Sequence, residues 1–290
     1  MGRRVFFQVW ILIVLLSLAQ TQAQEPPPVP QGALSTWKLV RAKDYPNYRV
    51  EVQERWQMGK FPRVDAMKLR IVPKNGSPAT ELTGTWLTPD PREFVADWKE
   101  GQILDLTGDG VEDLMVRISS GGAHCCYNYS VYSLAKDLQK IGDLDLQDCG
   151  EKIRIYDLDG NDKPEILTCD PRFIYLGNLP YSESPFPPAI YTLGANGYER
   201  ADKSFKQVYQ ADINQQRQTL VAGYRPAAAL QIVTDDLLIG EVAKAWEEFD
   251  KLYQGQDKEQ IKQQLKQKVG LAPAPPPATQ AESQPAAQVH

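Results

Sequence analysis

The chain has 290 residues, 42% of them hydrophobic and 24% charged, with 37 Asp and Glu against 32 Lys and Arg. That acidic balance argues against a nucleic-acid partner, and 22 scattered prolines argue against a collagen or a long coiled coil. The length is enough for one medium domain or two small ones.

The first 23 residues read as an address. Arg3 and Arg4 start it, residues 5–18 form an apolar run, and Thr21-Gln22-Ala23 closes it with small residues where a signal peptidase cuts. The run falls short of the roughly 20 residues that cross a bilayer, so a cleaved signal peptide is expected, with Gln24 as the mature start and no permanent membrane span. The mature protein is then secreted or periplasmic, where disulfides persist.

Residues 24–44, opened by Glu25-Pro-Pro-Pro-Val-Pro30, read as a proline-rich linker. Residues 270–290, with Pro, Ala and Gln dominant, read as a disordered tail. Between them, residues 45–200 are β: alternating or β-rich runs fall at 48–56, 66–72, 81–87, 102–106, 114–118, 127–134, 152–156 and 165–169. Lys74-Asn75-Gly76-Ser77 marks a turn. From 201 to 269 the period is helical. Ile239, Val242, Ala243, Trp246, Phe249 and Tyr253 share one face, suited to packing on the β part or to docking a partner. A weaker helical pattern runs from Phe205 through Val208 and Ile213.

Two acidic segments carry the chemistry. ILDLTGDGVEDL at 103–114 and IYDLDGNDKPEI at 155–166 align without a gap at an offset of 52 residues (157 − 105) and read as an internal repeat. Positions 1, 3, 5 and 9 of the loop bear side-chain oxygens: Asp105, Thr107, Asp109 and Asp113, then Asp157, Asp159, Asn161 and Glu165. The carbonyl at position 7, Val111 or Lys163, can supply a fifth oxygen. Such an all-oxygen set suits a hard cation, Ca²⁺ above all. Gly108 and Gly160 allow the sharp turn. An EF-hand would need a bidentate Glu at position 12, where Val116 and Thr168 stand, so a calcium loop between strands is expected instead.

These segments resemble the calcium loops of FG-GAP or VCBS repeats, the blade unit of integrin-α-like β-propellers, over roughly residues 97–175. The resemblance implies Ca²⁺ held by Asp105, Thr107, Asp109, Val111 and Asp113, and by Asp157, Asp159, Asn161, Lys163 and Glu165. Thr107 and Asn161 stand where the family carries acids, and the Phe-Gly and Gly-Ala-Pro marks are absent. Affinity is therefore expected on the order of 10⁻⁴ to 10⁻³ M, as in extracellular modules. A blade takes about 50 residues and propellers have four to eight blades. The β part is too short for a complete ring. About three propeller-blade-like antiparallel sheets are expected, as an incomplete propeller or a sandwich-like stack, with the helical segment closing it.

Cys125, Cys126, Cys149 and Cys169 are expected to form two disulfides. Adjacent strand residues point apart, so each of Cys125 and Cys126 is expected to bridge to Cys149 or Cys169, in either of two pairings. A zinc or copper site built from His124 and the cysteines, or a Cys-His nucleophile pair, is disfavoured by oxidation outside the cytoplasm. His290 lies in the tail and cannot complete a site. Residues 81–170 hold 19 acidic and 8 basic residues, a net of −11, so bound cations would relieve repulsion there. The expected function is a secreted calcium-stabilised interaction module for an unknown protein or glycan. The alternative is an extracellular hydrolase using two carboxylates as acid and base.

Overall fold

The computed structural model describes residues 34–99, 101–121 and 126–271. The expected signal peptide, residues 24–33 of the proline-rich segment, nearly all of the tail, His124 and Cys125 lie outside the described residues. The described chain is mainly β, with three antiparallel sheets of four strands each followed by four helices.

The first sheet is a meander of β1 (Lys38–Asp44), β2 (Tyr48–Gln57), β3 (Arg63–Pro73) and β4 (Thr80–Gly84). Period-two alternation shapes it. Tyr48, Val50 and Val52 of β2 and Met67, Leu69 and Ile71 of β3 are buried, while Glu51, Arg70 and Glu81 form an ion-pair row on the other face. Each fully buried aliphatic side chain contributes about 1.5–3 kcal/mol, against about 0–1 kcal/mol for an exposed ion pair. The apolar face therefore dictates where this sheet docks.

The second sheet runs β5 (Trp86–Thr88), β6 (Leu114–Ser119), β7 (Tyr127–Ser133) and β8 (Gln139–Gln147). It is buried on both faces. Leu114, Val116 and Tyr132 pack on the first sheet, whereas Met115, Tyr129 and Val131 face the third. Period-two alternation sends the neighbours Val131 and Tyr132 to different cores. The third sheet consists of β9 (Arg154–Tyr156), β10 (Glu165–Cys169), β11 (Pro188–Gly194) and β12 (Gly197–Arg200). Here the paired residues Ile166 and Tyr191 face the second sheet, and the next pair, Leu167 and Ile190, faces the helices.

The helical layer comprises α1 (Lys206–Val221), α2 (Pro226–Leu238), α3 (Val242–Leu252) and α4 (Lys258–Lys268). Helix α2 is buried all round and so lacks a polar stripe; Pro226 sits in its first turn, where no N–H is needed. Ala245 and Phe249 of α3 are buried, with Val242 and Trp246 packed on the same core. Ile239 ends α2 and is separated from the α3 stripe by Gly240 at φ 85°. Asp170 locks this layer down. Fully buried, it accepts from Arg172 Nε at 2.9 Å and Arg200 Nη1 at 2.9 Å, and Arg172 Nη1 donates to the Lys268 carbonyl at 2.9 Å.

Several expectations change. Residues 38–44, assigned to the linker, form an edge strand whose side chains are all exposed, so no apolar alternation marks it. The run 81–87 breaks at Thr85, where the chain crosses from the first sheet to the second. Residues 102–106 do not form a ladder; they are pinned to Asp113, whose N–H donates to the Leu104 carbonyl at 2.5 Å and whose Oδ2 accepts from the Leu106 N–H at 2.8 Å. Both expected disulfide pairings are overturned. Cys149 and Cys169 bond to each other with Cα atoms 5.2 Å apart. Cys126 is also disulfide-bonded, and its φ of 75° shows that the strand geometry assumed for it does not hold.

Burial favours a neutral Asp170, but the two guanidinium groups outweigh it and hold the carboxyl below its ordinary range. The stability it contributes is present above the ordinary carboxylate pKa and is lost as pH falls through the lowered value. We expect Asp170→Ala to cost about 3 kcal/mol in urea unfolding at pH 7, the low end for a broken buried pair because both arginines keep contact with water. Asp235 is the opposite case. It is fully buried with neither carboxylate oxygen hydrogen-bonded, and burial, then Asp212 and Asp236, push its carboxyl well above the ordinary range. Its contribution is favourable only while it is protonated and is lost as pH rises. Asp235→Asn should raise the thermal midpoint at pH 7, with the difference closing in acid.

Candidate metal centre

The two acidic loops share a frame of hydrogen bonds. Asp105 Oδ1 accepts from the N–H groups of Gly108 at 2.8 Å and Asp109 at 3.2 Å, and its Oδ2 accepts from Gly110 at 2.8 Å. In the second loop Asp157 Oδ1 accepts from Gly160 at 2.8 Å and Asn161 at 3.1 Å, and its Oδ2 accepts from Asp162 at 3.1 Å. Position 5 accepts from the N–H of position 7 in both: Val111 to Asp109 at 2.8 Å, Lys163 to Asn161 at 2.7 Å. Asp and Asn favour such turns because a short side chain can close a ring onto the backbone two or three residues on. These bonds draw the carboxylates inward without using all their lone pairs.

Position 9 anchors each loop to its sheet. Asp113 immediately precedes β6, and Glu165 opens β10; they are 2% and 1% exposed. Asp113 Oδ2 accepts from Leu106 N–H at 2.8 Å, and Glu165 Oε2 accepts from Leu158 N–H at 2.9 Å. The second oxygen of each, Asp113 Oδ1 and Glu165 Oε1, is buried without a hydrogen-bond partner. Burial pushes the Asp113 carboxyl up to about 6, with Asp109 adding to the rise and the Leu106 and Thr107 amides opposing it. Glu165 is raised by burial, then by Asp159 and Asp157, against the Leu158 amide. An orphan buried carboxylate oxygen costs free energy unless a cation compensates it.

In the second loop the geometry goes further. Asp157, Asp159 and Glu165 offer oxygens that all lie within 4.8 Å of one another. Among the described residues the first loop forms no corresponding group of three carboxylates, since its position 3 is the Thr107 hydroxyl, 3.5 Å from Asp105 Oδ1. The side-chain donor set of both loops is oxygen alone, which fits a hard divalent cation and not zinc or copper. Val111 and Lys163 stand at position 7, where only the backbone carbonyl is useful.

The loops touch. Gly108 has φ 70°, and a Cβ built there would lie 2.5 Å from the Asp162 carbonyl oxygen and 2.9 Å from Lys163 Cγ. Gly160, at φ 77°, has nothing within 4 Å of such a Cβ. A cleft of about 740 Å³ lies beside this contact, lined by Asp105 and Asp157 together with Trp98 and Tyr156.

One device went unread in the sequence. LTPDPR at 87–92 and LTCDPR at 167–172 match at an offset of 80 residues (167 − 87). Each forms a single 3₁₀ turn in which the Asp accepts from the Arg N–H at 3.1 Å and the Arg Nε at 2.9 Å. A search for a second repeat period would have found it. Comparison of the chain with protein families, curated proteins and solved structures finds no match. Among the described residues no helix is long and apolar enough to cross a membrane.

The paired glycines give a controlled test. Gly160→Ala should cost about 1 kcal/mol, the low end for left-handed backbone. Gly108→Ala should cost more than that, because it adds a clash with the neighbouring loop. Chemical unfolding of the two variants measures the difference, and equal losses would contradict the contact.

Proposed function

We propose that this protein is an extracytoplasmic, calcium-stabilised binding module of the FG-GAP/VCBS kind. Calcium would be held in one loop by Asp105, Thr107, Asp109, Asp113 and the Val111 carbonyl. The other loop would use Asp157, Asp159, Asn161, Glu165 and the Lys163 carbonyl. The metal's task is structural: it neutralises carboxylates that the sheets bury and fixes two touching loops at one edge, leaving neighbouring surfaces to recognise a protein or glycan. The observation that carries this reading is the buried, unpartnered oxygen at position 9 of both loops. The convergence of Asp157, Asp159 and Glu165 supports it, as does the acidic stretch from 81 to 170. Secretion or a periplasmic home is supported by the Cys149–Cys169 disulfide, a bond that persists in oxidising compartments.

Thermal unfolding with calcium or with chelator tests the proposal. A site with Kd about 0.1 mM gains about 1.4 kcal/mol at 1 mM calcium, a midpoint rise of about 3–6 °C for a domain of this size. Asp109→Ala and Asp159→Ala should each remove part of the rise. Glu165→Gln gives a sharper check: in chelator it should stabilise the protein, because a buried charge is gone, and in calcium it should respond less. No rise at several millimolar calcium in the unmodified protein would overturn the reading.

A further inference from the structure

A cavity of about 530 Å³ lies between the end of β1 and the segment leading into the first acidic loop. None of the five ligand positions of that loop lines it. Its volume falls within the roughly 300–1,000 Å³ of small-molecule sites. The apolar lining comes from Val50 and Val52 of β2, the Tyr45 ring, Trp98 and Ile103. Ile103 is 52% exposed, a large apolar side chain left half in water at this cavity.

Five charged side chains line the cavity. Arg41, Lys43 and Arg92 face Asp90 and Glu112; Arg92 pairs with Asp90, and Arg41 pairs with Glu93 just outside the lining, so a ligand reaches Arg41 and Lys43 by exchange of partners. Lys43 Nζ pairs with Glu112 at 2.6 Å and sits 4.6 Å from the Tyr45 ring centroid, while Arg41 Nη1 pairs with Glu93 at 3.0 Å. The Lys43 and Arg41 side chains are 55% and 43% exposed, so these pairs are weakly held and an incoming carboxylate can take either cation. Placing cations beside an apolar, aromatic-lined hollow suits a ligand with an anionic head and an apolar body.

We infer that this cavity binds a small amphipathic anion, with its apolar chain or ring against Val50, Val52 and Trp98 and its monoanionic head on Arg41 and Lys43. The cavity is too small for a folded partner. The inference does not depend on metal in the loops.

Decanoate, below its micelle concentration, is a suitable probe, with decan-1-ol and decyltrimethylammonium as neutral and cationic counterparts of the same chain length. Titrations of the full chain are read by tryptophan fluorescence, in calcium and in chelator. Saturable one-to-one binding of decanoate is expected, at least tenfold tighter than the alcohol, with no binding of the cation. The signal should fall in Trp98→Phe. Arg41→Met combined with Lys43→Met should bring decanoate down to the affinity of the alcohol while leaving the alcohol unchanged. Ile103→Trp, at an exposed position that crowds the cavity, should weaken both by tenfold or more, and an unchanged thermal midpoint would show that the variants fold. Equal binding of the three amphiphiles, no saturable binding, or decanoate affinity unchanged in both variants would each overturn the inference. Binding that persists in chelator sustains it whatever the loops do with calcium.

Discussion

The stacking of sheets drives a carboxylate out of water at the start of two strands, and the rest of the site follows from that constraint. Strands β6 and β10 are buried on both faces, so the residue at the start of each is buried as well. That residue is Asp113 in one case and Glu165 in the other. One oxygen caps the amide at loop position 2 and thereby fixes the loop; the other is left without a partner. A neutral side chain would fill the same space more cheaply. Retaining charge there makes sense when a cation completes the coordination, which is why the paired orphan oxygens weigh more than the count of surface acids.

The helical layer solves a different problem. The outer face of the third sheet is apolar at Leu167 and Ile190, and α1 and α2 cover it, with α3 and α4 completing the same core. Asp170 gives that cover its orientation. Its two arginines come from the turn after β10 and from β12, and one of them reaches the last turn of α4. Buried ion pairs contribute little net stability, but removing one partner strands the others, which makes such a cluster effective at fixing geometry.

Much of this was legible in the sequence where pattern and burial coincide. The alternation of Tyr48, Val50 and Val52 against Arg49 and Glu51 announces a one-sided strand. The two acidic loops announce themselves by their spacing. Strand β1 was not legible because neither of its faces is buried, and β8 reads as a polar segment because Leu144 and Leu146 are its only buried side chains. Helix α2 hides for the opposite reason, since full burial erases its period. At the cysteines the error was one of geometry: Cys126 has left-handed backbone, so the rule that neighbours on a strand diverge does not apply. The orphan oxygens of Asp113 and Glu165 were beyond any reading of residue order, because they depend on which sheet lands on which.

The three separate cores have a mechanical consequence. Among the described residues the first sheet shares a core only with the second, the second with the third, and the third with the helices. A disturbance at the first sheet reaches the helices only through both intervening layers, so cooperativity is serial, as in a row of coupled units. The touching loops lie across one of those junctions. A strut there, joining the second and third sheets at their edge, stiffens the link on which communication between the two ends of the molecule depends.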